Sequence, residues 1–166
     1  MIDDTFYWEL SSPLGELLLV SDGQSLSGVY YEDHRRGPAR GANWRRDAGP
    51  FEQVKNELTA YFGGELREFG VKLAPQGSEF QREVWNELRR IPPGKTLTYA
   101  ELAARVGRPK AIRAVGAANA RNPISIIVPC HRVVGSNGTL TGYAGGLKRK
   151  EWLLKHEASM QFSVVR

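Results

Sequence analysis

Sulfur is nearly missing from this chain: 166 residues hold one cysteine and two methionines. A lone cysteine forms no internal disulfide, and Cys₂ and Cys₄ zinc patterns are excluded. Long apolar runs are missing too. No stretch approaches the roughly 20 apolar residues of a membrane span, so no membrane partner is expected. The opening MIDDTFYWEL is acidic and lacks the basic and apolar regions of a secretory leader. These absences set the expectation of a reducing compartment, cytoplasmic, or nucleoid-associated in a prokaryote. There is no internal repeat and no low-complexity tract. Acids are scarce in the second half: residues 1–76 carry 8 Lys and Arg against 12 Asp and Glu, residues 77–166 carry 15 against 6. A basic half joined to an acidic one points to a polyanion such as nucleic acid, with a solubilising surface as the plainer reading.

What is present suffices for a core. The hydrophobic fraction is 41%, with four tryptophans, which argues against global disorder and fits one or two small domains. The first thirty residues alternate: FYWEL, ELLLVSD and SLSGVYYED are short apolar runs separated by SSPLG and DGQ, which predicts a meander of strands. HRRGPARGANWRRDAGP, from His34 to Pro50, reads as a surface loop. PFEQVKNELTAYFGG, Pro50–Gly64, predicts an amphipathic helix with Val54, Leu58 and Tyr61–Phe62 on its apolar face. A connector follows, and the expected division is 1–76 and 77–166.

The second half predicts helices. Ser78 with Gln81 forms a capping box before FQREVWNELRRI, where Phe80, Val84 and Leu88 share a face. Thr98 with Glu101 forms another, opening TYAELAARVG, which stops at Gly107. Pro109 is expected early in a further helix, PKAIRAVGAANA. IIV is expected to be a short buried extended segment, and YAGGLKRKEWLLKHE a last helix from Leu147 to about His156. Two short helices around a Gly-containing turn make a helix-turn-helix pattern. Its second helix, AIRAVGAANA, has one long probe, Arg113, among alanines. It approaches a surface closely but reads few base edges, which suits sequence-independent minor-groove contact. Tight helix packing is the alternative use of those small residues.

IIVPCHRVV holds the cysteine, Cys130. Most lone cysteines are inert small hydrophobes. Against that stand Pro129 just ahead, the polar pair His131 and Arg132 just after, and glycine- and alanine-rich flanks built for close backbone approach. A reactive thiol must ionise. His131 is the candidate base, directly or through water, and a histidine in that role needs an orienting acid. Glu151 and Glu157 are both candidates on the residues alone.

PCHRVV, preceded by RAVGAANARNP and followed by GYAGGLKRKEWLLKHE, closely resembles the O6-alkylguanine-DNA alkyltransferases, or methylated-DNA–protein-cysteine methyltransferases, from about Ser78 to Glu157. The N-terminal part agrees in layout. The resemblance implies an α+β fold: an N-terminal three-stranded antiparallel sheet with a helix in a ribonuclease H-like layout, then a helical domain with a helix-turn-helix. It implies a single-turnover, irreversible transfer of the alkyl group from O6-alkylguanine in double-stranded DNA, and from O4-alkylthymine, to Cys130 after base flipping. By the same resemblance His131 takes the thiol proton through water and Glu157 orients it. Tyr99 protonates the departing base, and Arg113 fills the gap in the duplex. Asn122 bridges the recognition helix and the active-site loop, and Tyr143 lies against the base. Carbonyls of Cys130 and Val133 accept from the guanine amino group, and the Ala144 amide donates to O6. No cofactor is implied, and the expected protein is a stand-alone monomer whose cooperativity on DNA is open.

The pattern is departed from in places. Zinc-binding relatives use N-terminal cysteines and histidines; here that half has only His34, so no metal is expected. Ala144 replaces a serine, and Ser125 stands where some members carry proline. Three other readings compete. They are a non-catalytic lesion-binding protein on the same scaffold, which Cys130 argues against, a cysteine hydrolase, and a plain transcriptional regulator.

Overall fold

The computed structural model describes residues 4–33 and 41–160; His34 and the first arginines of the Arg-rich loop, Arg35, Arg36 and Arg40, lie outside them. The alternating runs form β1 (Phe6–Ser12), β2 (Gly15–Ser21) and β3 (Leu26–Tyr31), an antiparallel meander. The β1–β2 turn needs Gly15 at φ +100° and is closed by Ser12, whose hydroxyl donates to the Gly15 carbonyl at 2.6 Å. At the β2–β3 turn the Asp22 carboxylate accepts from the amides of Gln24 and Ser25, both at 2.8 Å. The period of two puts Leu17, Leu19, Val29 and Tyr31 on one buried face.

A fourth strand was not expected. β4 (Arg45–Arg46) pairs parallel to β1, giving the order β3-β2-β1-β4. The Arg45 amide donates to Thr5 and the Asp47 amide to Tyr7, and Arg46 Nε reaches across to the Glu9 carboxylate at 2.8 Å. An exposed two-residue edge has no side-chain alternation to betray it. A 3₁₀ turn (Gly49–Phe51) then leads into α1 (Glu52–Phe62), which adds Phe51, Val54, Leu58 and Tyr61 to the core.

Both predicted capping boxes form. The Ser78 side chain accepts from the Gln81 amide at the start of α2 (Glu79–Leu88), and that of Thr98 from the Glu101 amide at the start of α3 (Tyr99–Arg105). The buried stripe of α2 is Val84, Trp85 and Leu88, with Phe80 half-buried beside it. Trp85 Nε1 donates to the Ala118 carbonyl at 2.8 Å, fastening α2 to α4 (Ile112–Ala120). Pro109 lies in the turn before α4, not within the helix, because residues 108–111 close through the Ala111 amide to the Arg108 carbonyl. β5 (Leu97–Thr98) and β6 (Val133–Val134) form a short parallel ladder, and α5 runs from Leu147 to Ser159, a turn beyond its predicted end.

The IIV segment is not extended. Ile126 has φ 74°, the one non-glycine positive φ among the described residues, and the Ile127 and Val128 amides bond back to Ser125 and Ile124. Ile126, Ile127 and Val128 are all at most 5% exposed, so the apolar run is buried by wrapping and not by strand pairing, while Ile124 just before it forms a single parallel bridge with Val29. The two halves share one core and a backbone seam: the Val29 amide donates to Pro123, and the Ser125 amide to Val29. Among the described residues no helix is long and apolar enough to cross a membrane.

Leu19 is fully buried at the middle of the sheet. Leu19→Ala is expected to lower unfolding stability by about 3 kcal/mol, read from urea midpoints, because the rigid sheet does not collapse into the cavity. A loss under about 1 kcal/mol would mean that this face is loosely packed.

Candidate active site

Cys130 opens a single 3₁₀ turn, Cys130–Arg132, at the end of the wrapped segment and is 5% exposed. Asn122 sets that segment. Its Oδ1 accepts from the Ile124 amide at 2.9 Å and its Nδ2 donates to the Val128 carbonyl at 2.7 Å, which holds the strained Ile126 in place. Burial pushes the Cys130 thiol pKa up; a hydrogen bond from Asn122 and the positive charge of Lys150 work the other way.

Behind the cysteine lies a buried ionic cluster. Of the two acids left open, Glu151 is exposed and pairs with Lys155, while Glu157 lies 2.7 Å from His131 Nε2. The Glu157 carboxylate accepts from Arg132 Nε at 2.9 Å and Nη2 at 2.8 Å, and from the Tyr61 hydroxyl at 2.6 Å. The third Arg132 nitrogen donates to the Ile91 carbonyl. Burial alone would raise the Glu157 pKa, but the hydrogen bonds from His131 and Arg132 and the Arg132 positive charge outweigh it and hold the carboxyl well below the usual range. Burial keeps His131 below its ordinary value. An ionised Glu157 beside a neutral imidazole fixes the tautomer: Nε2 carries the proton and donates it. Nδ1 then keeps a free lone pair, and it has no partner among the described residues.

Lys150 is fully buried, an uncommon place for a lysine. Its ammonium donates to the Val133 carbonyl at 2.6 Å and the Thr141 carbonyl at 2.7 Å, pinning the strand after the cysteine to the loop before α5. The Val133 carbonyl, implied as an acceptor for a guanine amino group, thus already has a donor. The Cys130 carbonyl accepts from the Val133 amide and, weakly, from Asn119 Nδ2 at 3.5 Å.

A cleft of about 600 Å³ is lined by Tyr99, Gly116, Asn119, Tyr143 and Ala144 among others, and Asn119 is the lining residue that reaches the Cys130 carbonyl. That volume falls in the small-ligand range. The Tyr143 hydroxyl bonds that of Tyr31 at 2.8 Å, and its ring meets His131 edge-on at 6.4 Å, joining cleft to cluster. Gly145 is required beside it: a Cβ there would lie 2.4 Å from the Tyr31 ring. Tyr99 opens α3 and its hydroxyl accepts from Thr141 at 3.3 Å. Arg113 stands apart, exposed on α4 with Ala114, Ala117 and Ala120, next to Ile112, which is 43% exposed.

The structure therefore brings Cys130, His131, Glu157 and Asn122 together, sets Tyr99, Tyr143 and Ala144 around the cleft, and leaves Arg113 on an outer face. Sequence reasoning passed over Tyr61, Arg132, Lys150, Asn119 and Tyr31. Arg132 and Lys150 had a signal, as charges inside buried runs; Tyr61 and Tyr31 had none, being aromatic residues on core faces. Among the described residues no group of three or more His, Cys, Asp or Glu gathers to hold a metal.

Residues 5–75 match the family model for the ribonuclease-like domain of 6-O-methylguanine DNA methyltransferase, and residues 79–159 the model for its DNA binding domain. A methylated-DNA–protein-cysteine methyltransferase of Methanosarcina acetivorans is 51% identical over 154 residues, 93% of this chain and 99% of that one. One from Mycobacterium tuberculosis is 47% identical over 153 residues, 92% of each. The crystal structure of the M. tuberculosis O6-methylguanine methyltransferase superposes with a TM-score of 0.88 at 45% identity, covering 96% of both chains. The same organism's OGT in complex with DNA gives 0.88 at 44% identity, covering 95% of this chain and 96% of that one.

The buried neutral histidine has a pH consequence. The folded His131 pKa lies below its unfolded value of about 6.5, so the unfolded chain binds that proton first. Its share of stability is present above about pH 6.5 and is lost as the pH falls toward the folded value. The urea midpoint is expected to fall between pH 7 and 5, by on the order of 1 kcal/mol per pH unit, and this decline is expected to flatten in His131→Asn. A pH-independent midpoint in the unsubstituted protein would reject the neutral imidazole.

Proposed function

The chain belongs to the 6-O-methylguanine DNA methyltransferase family, and we propose that it repairs duplex DNA by moving the alkyl group of O6-alkylguanine onto Cys130, once per molecule. The observation that carries this reading is the His131–Glu157 bond at 2.7 Å, which leaves Nδ1 a lone pair on the residue next to the thiol. His131 takes the Cys130 proton, directly or through water, and the imidazolium so formed is stabilised by Glu157. Burial keeps the resting thiol protonated, so the nucleophile forms when a substrate occupies the cleft.

The thiolate sulfur attacks the alkyl carbon in line. A sulfur–carbon bond forms as the carbon–O6 bond breaks, and the electron pair leaves with the base, which takes up a proton to become guanine. Tyr99, at the cleft wall, is the donor for that proton. The product thioether has no good leaving group, so the protein is consumed. The reaction draws on no cofactor, and the thiol must stay reduced, which fits a reducing compartment.

The alkyl carbon is hidden inside a duplex, and the base must swing out to meet the cleft. The alanine face of α4 lets the helix lie close to the groove, and Arg113 fills the space the base vacates. Tyr143 lies against the extruded ring and the Ala144 amide faces O6. The basic second half supplies phosphate contacts.

Reaction with duplex DNA containing O6-methylguanine is expected to add one methyl mass per protein, on Cys130, with no gain in Cys130→Ala. An unmodified cysteine under excess lesion would overturn the reading. Arg113→Ala is expected to slow transfer from duplex DNA at least about tenfold while leaving reaction with a free O6-alkylated base nearly unchanged. Equal losses on both substrates would remove Arg113 from the extrusion step.

A further inference from the structure

One oxygen of the buried carboxylate serves three donors. Glu157 Oε2 accepts from His131 Nε2 at 2.7 Å, from Arg132 Nη2 at 2.8 Å and from the Tyr61 hydroxyl at 2.6 Å. Among the described residues Oε1 accepts from Arg132 Nε alone. A carboxylate oxygen has about two lone-pair sites, so three donors share its charge. Arg132 is a permanent cation and neutralises the carboxylate. Tyr61 is a different kind of partner. It is 1% exposed on α1, in the other half of the chain from the cysteine, and no step of the transfer uses its hydroxyl. Phe62 and Phe69 pack against its ring at 5.3 and 5.5 Å, and a phenylalanine would fill the same place. The hydroxyl itself is what calls for a role.

We propose that Tyr61 is a positioning residue for the thiol proton transfer: its hydroxyl competes with the imidazole for one Glu157 oxygen and so holds down the basicity of His131. This rests on the transfer reading given above. The sign follows from the competition. A carboxylate that accepts strongly from Nε2–H stabilises the imidazolium and raises the proton affinity of Nδ1. With Tyr61 donating to the same oxygen, part of that capacity is used, and His131 stays neutral, able to accept the thiol proton, to a lower pH. Burial and the Glu157 charge push the Tyr61 phenol far above its usual range, so the hydroxyl remains a donor throughout. The other groups facing the pair are Arg132 from the same turn, Lys150 from α5, Cys130 itself, and Tyr143, edge-on to the imidazole at 6.4 Å with Tyr31 of β3 bonded behind it. Both cations also disfavour the imidazolium. His156 on α5 bonds the Tyr61 carbonyl through Nε2 at 2.7 Å and meets its ring edge-on at 5.3 Å. That bond is to the backbone and not to the hydroxyl, so signals assigned to His131 separate the two histidines.

The test is Tyr61→Phe with two readings: the pH dependence of single-turnover methyl transfer from duplex O6-methylguanine, and the His131 Nε2–H resonance by NMR near neutral pH. In Tyr61→Phe the acid limb of the rate is expected to rise by at least about half a pH unit, roughly threefold in rate on that limb, with the plateau changed by less than about threefold. The Nε2–H resonance is expected to move downfield as its bond to Oε2 strengthens. A 3-fluorotyrosine at position 61 keeps the shape and has a more acidic hydroxyl, so it is expected to move the resonance upfield, and it serves if the phenylalanine variant does not fold. A merely structural Tyr61 would lower the rate equally at every pH and leave the resonance of the fluorotyrosine protein in place. An unmoved limb in a folded Tyr61→Phe, or an unmoved resonance with fluorotyrosine, would overturn the proposal while leaving the transfer reading intact. No methyl gain at any pH would overturn the transfer reading, and the resonance would still decide whether Tyr61 acts on the imidazole.

Discussion

The structure turns on one buried carboxylate. Glu157 sits out of water at 2% exposure, where an unpaired charge would cost several kcal/mol. It is tolerated because four donors converge on it: both arms of Arg132, the His131 ring and the Tyr61 hydroxyl. Those donors come from the turn that bears the cysteine and from α1 in the N-terminal half. α5 supplies the carboxylate itself. Tyr61, pushed far above the usual phenol range chiefly by burial, stays a hydrogen donor and ties the first half of the chain to the reactive turn. Removing a partner from such a cluster leaves an uncompensated charge, typically a loss of about 3–5 kcal/mol. The same arrangement that stabilises the fold also settles which nitrogen of His131 is free.

The reactive turn is held under strain from both sides. Ile126, a β-branched residue at positive φ, stores an unfavourable backbone conformation of roughly 1–3 kcal/mol. Asn122 clamps it on one side, and Lys150 pins Val133 on the other. On the proposed reading, a nucleophile on so rigid a mount meets its substrate without prior reorganisation, which is where positioning contributes to rate. The cleft is less constrained. Its walls come from α3, α4 and the loop before α5.

The alanine face of α4 shows how composition is converted to surface. Val115, Ala118 and Asn119 face inward, while Arg113, Ala114, Ala117 and Ala120 face out. The outward alanines therefore do not serve helix packing, the alternative reading of the sequence, and the flat exposed strip they form suits close approach to a groove.

Patterns that depend on neighbours along the chain were legible in the amino-acid order. The strand meander, both capping boxes, the helical hairpin and the reactive tripeptide Cys130-His131-Arg132 all follow from period, cap chemistry and composition within a few residues. The choice of Glu157 over Glu151 rested on resemblance at that stage; tertiary packing shows its cause, since one acid turns into the core and the other into solvent. The wrapped form of the IIV segment, the β4 edge, the burial of Lys150, the Tyr61 link and the orphaned Asn119 oxygen were decided by the three-dimensional fold alone. Each joins groups distant in sequence or depends on how a segment is enclosed, and no local propensity encodes a contact between residues 61 and 157 or the absence of one at residue 119.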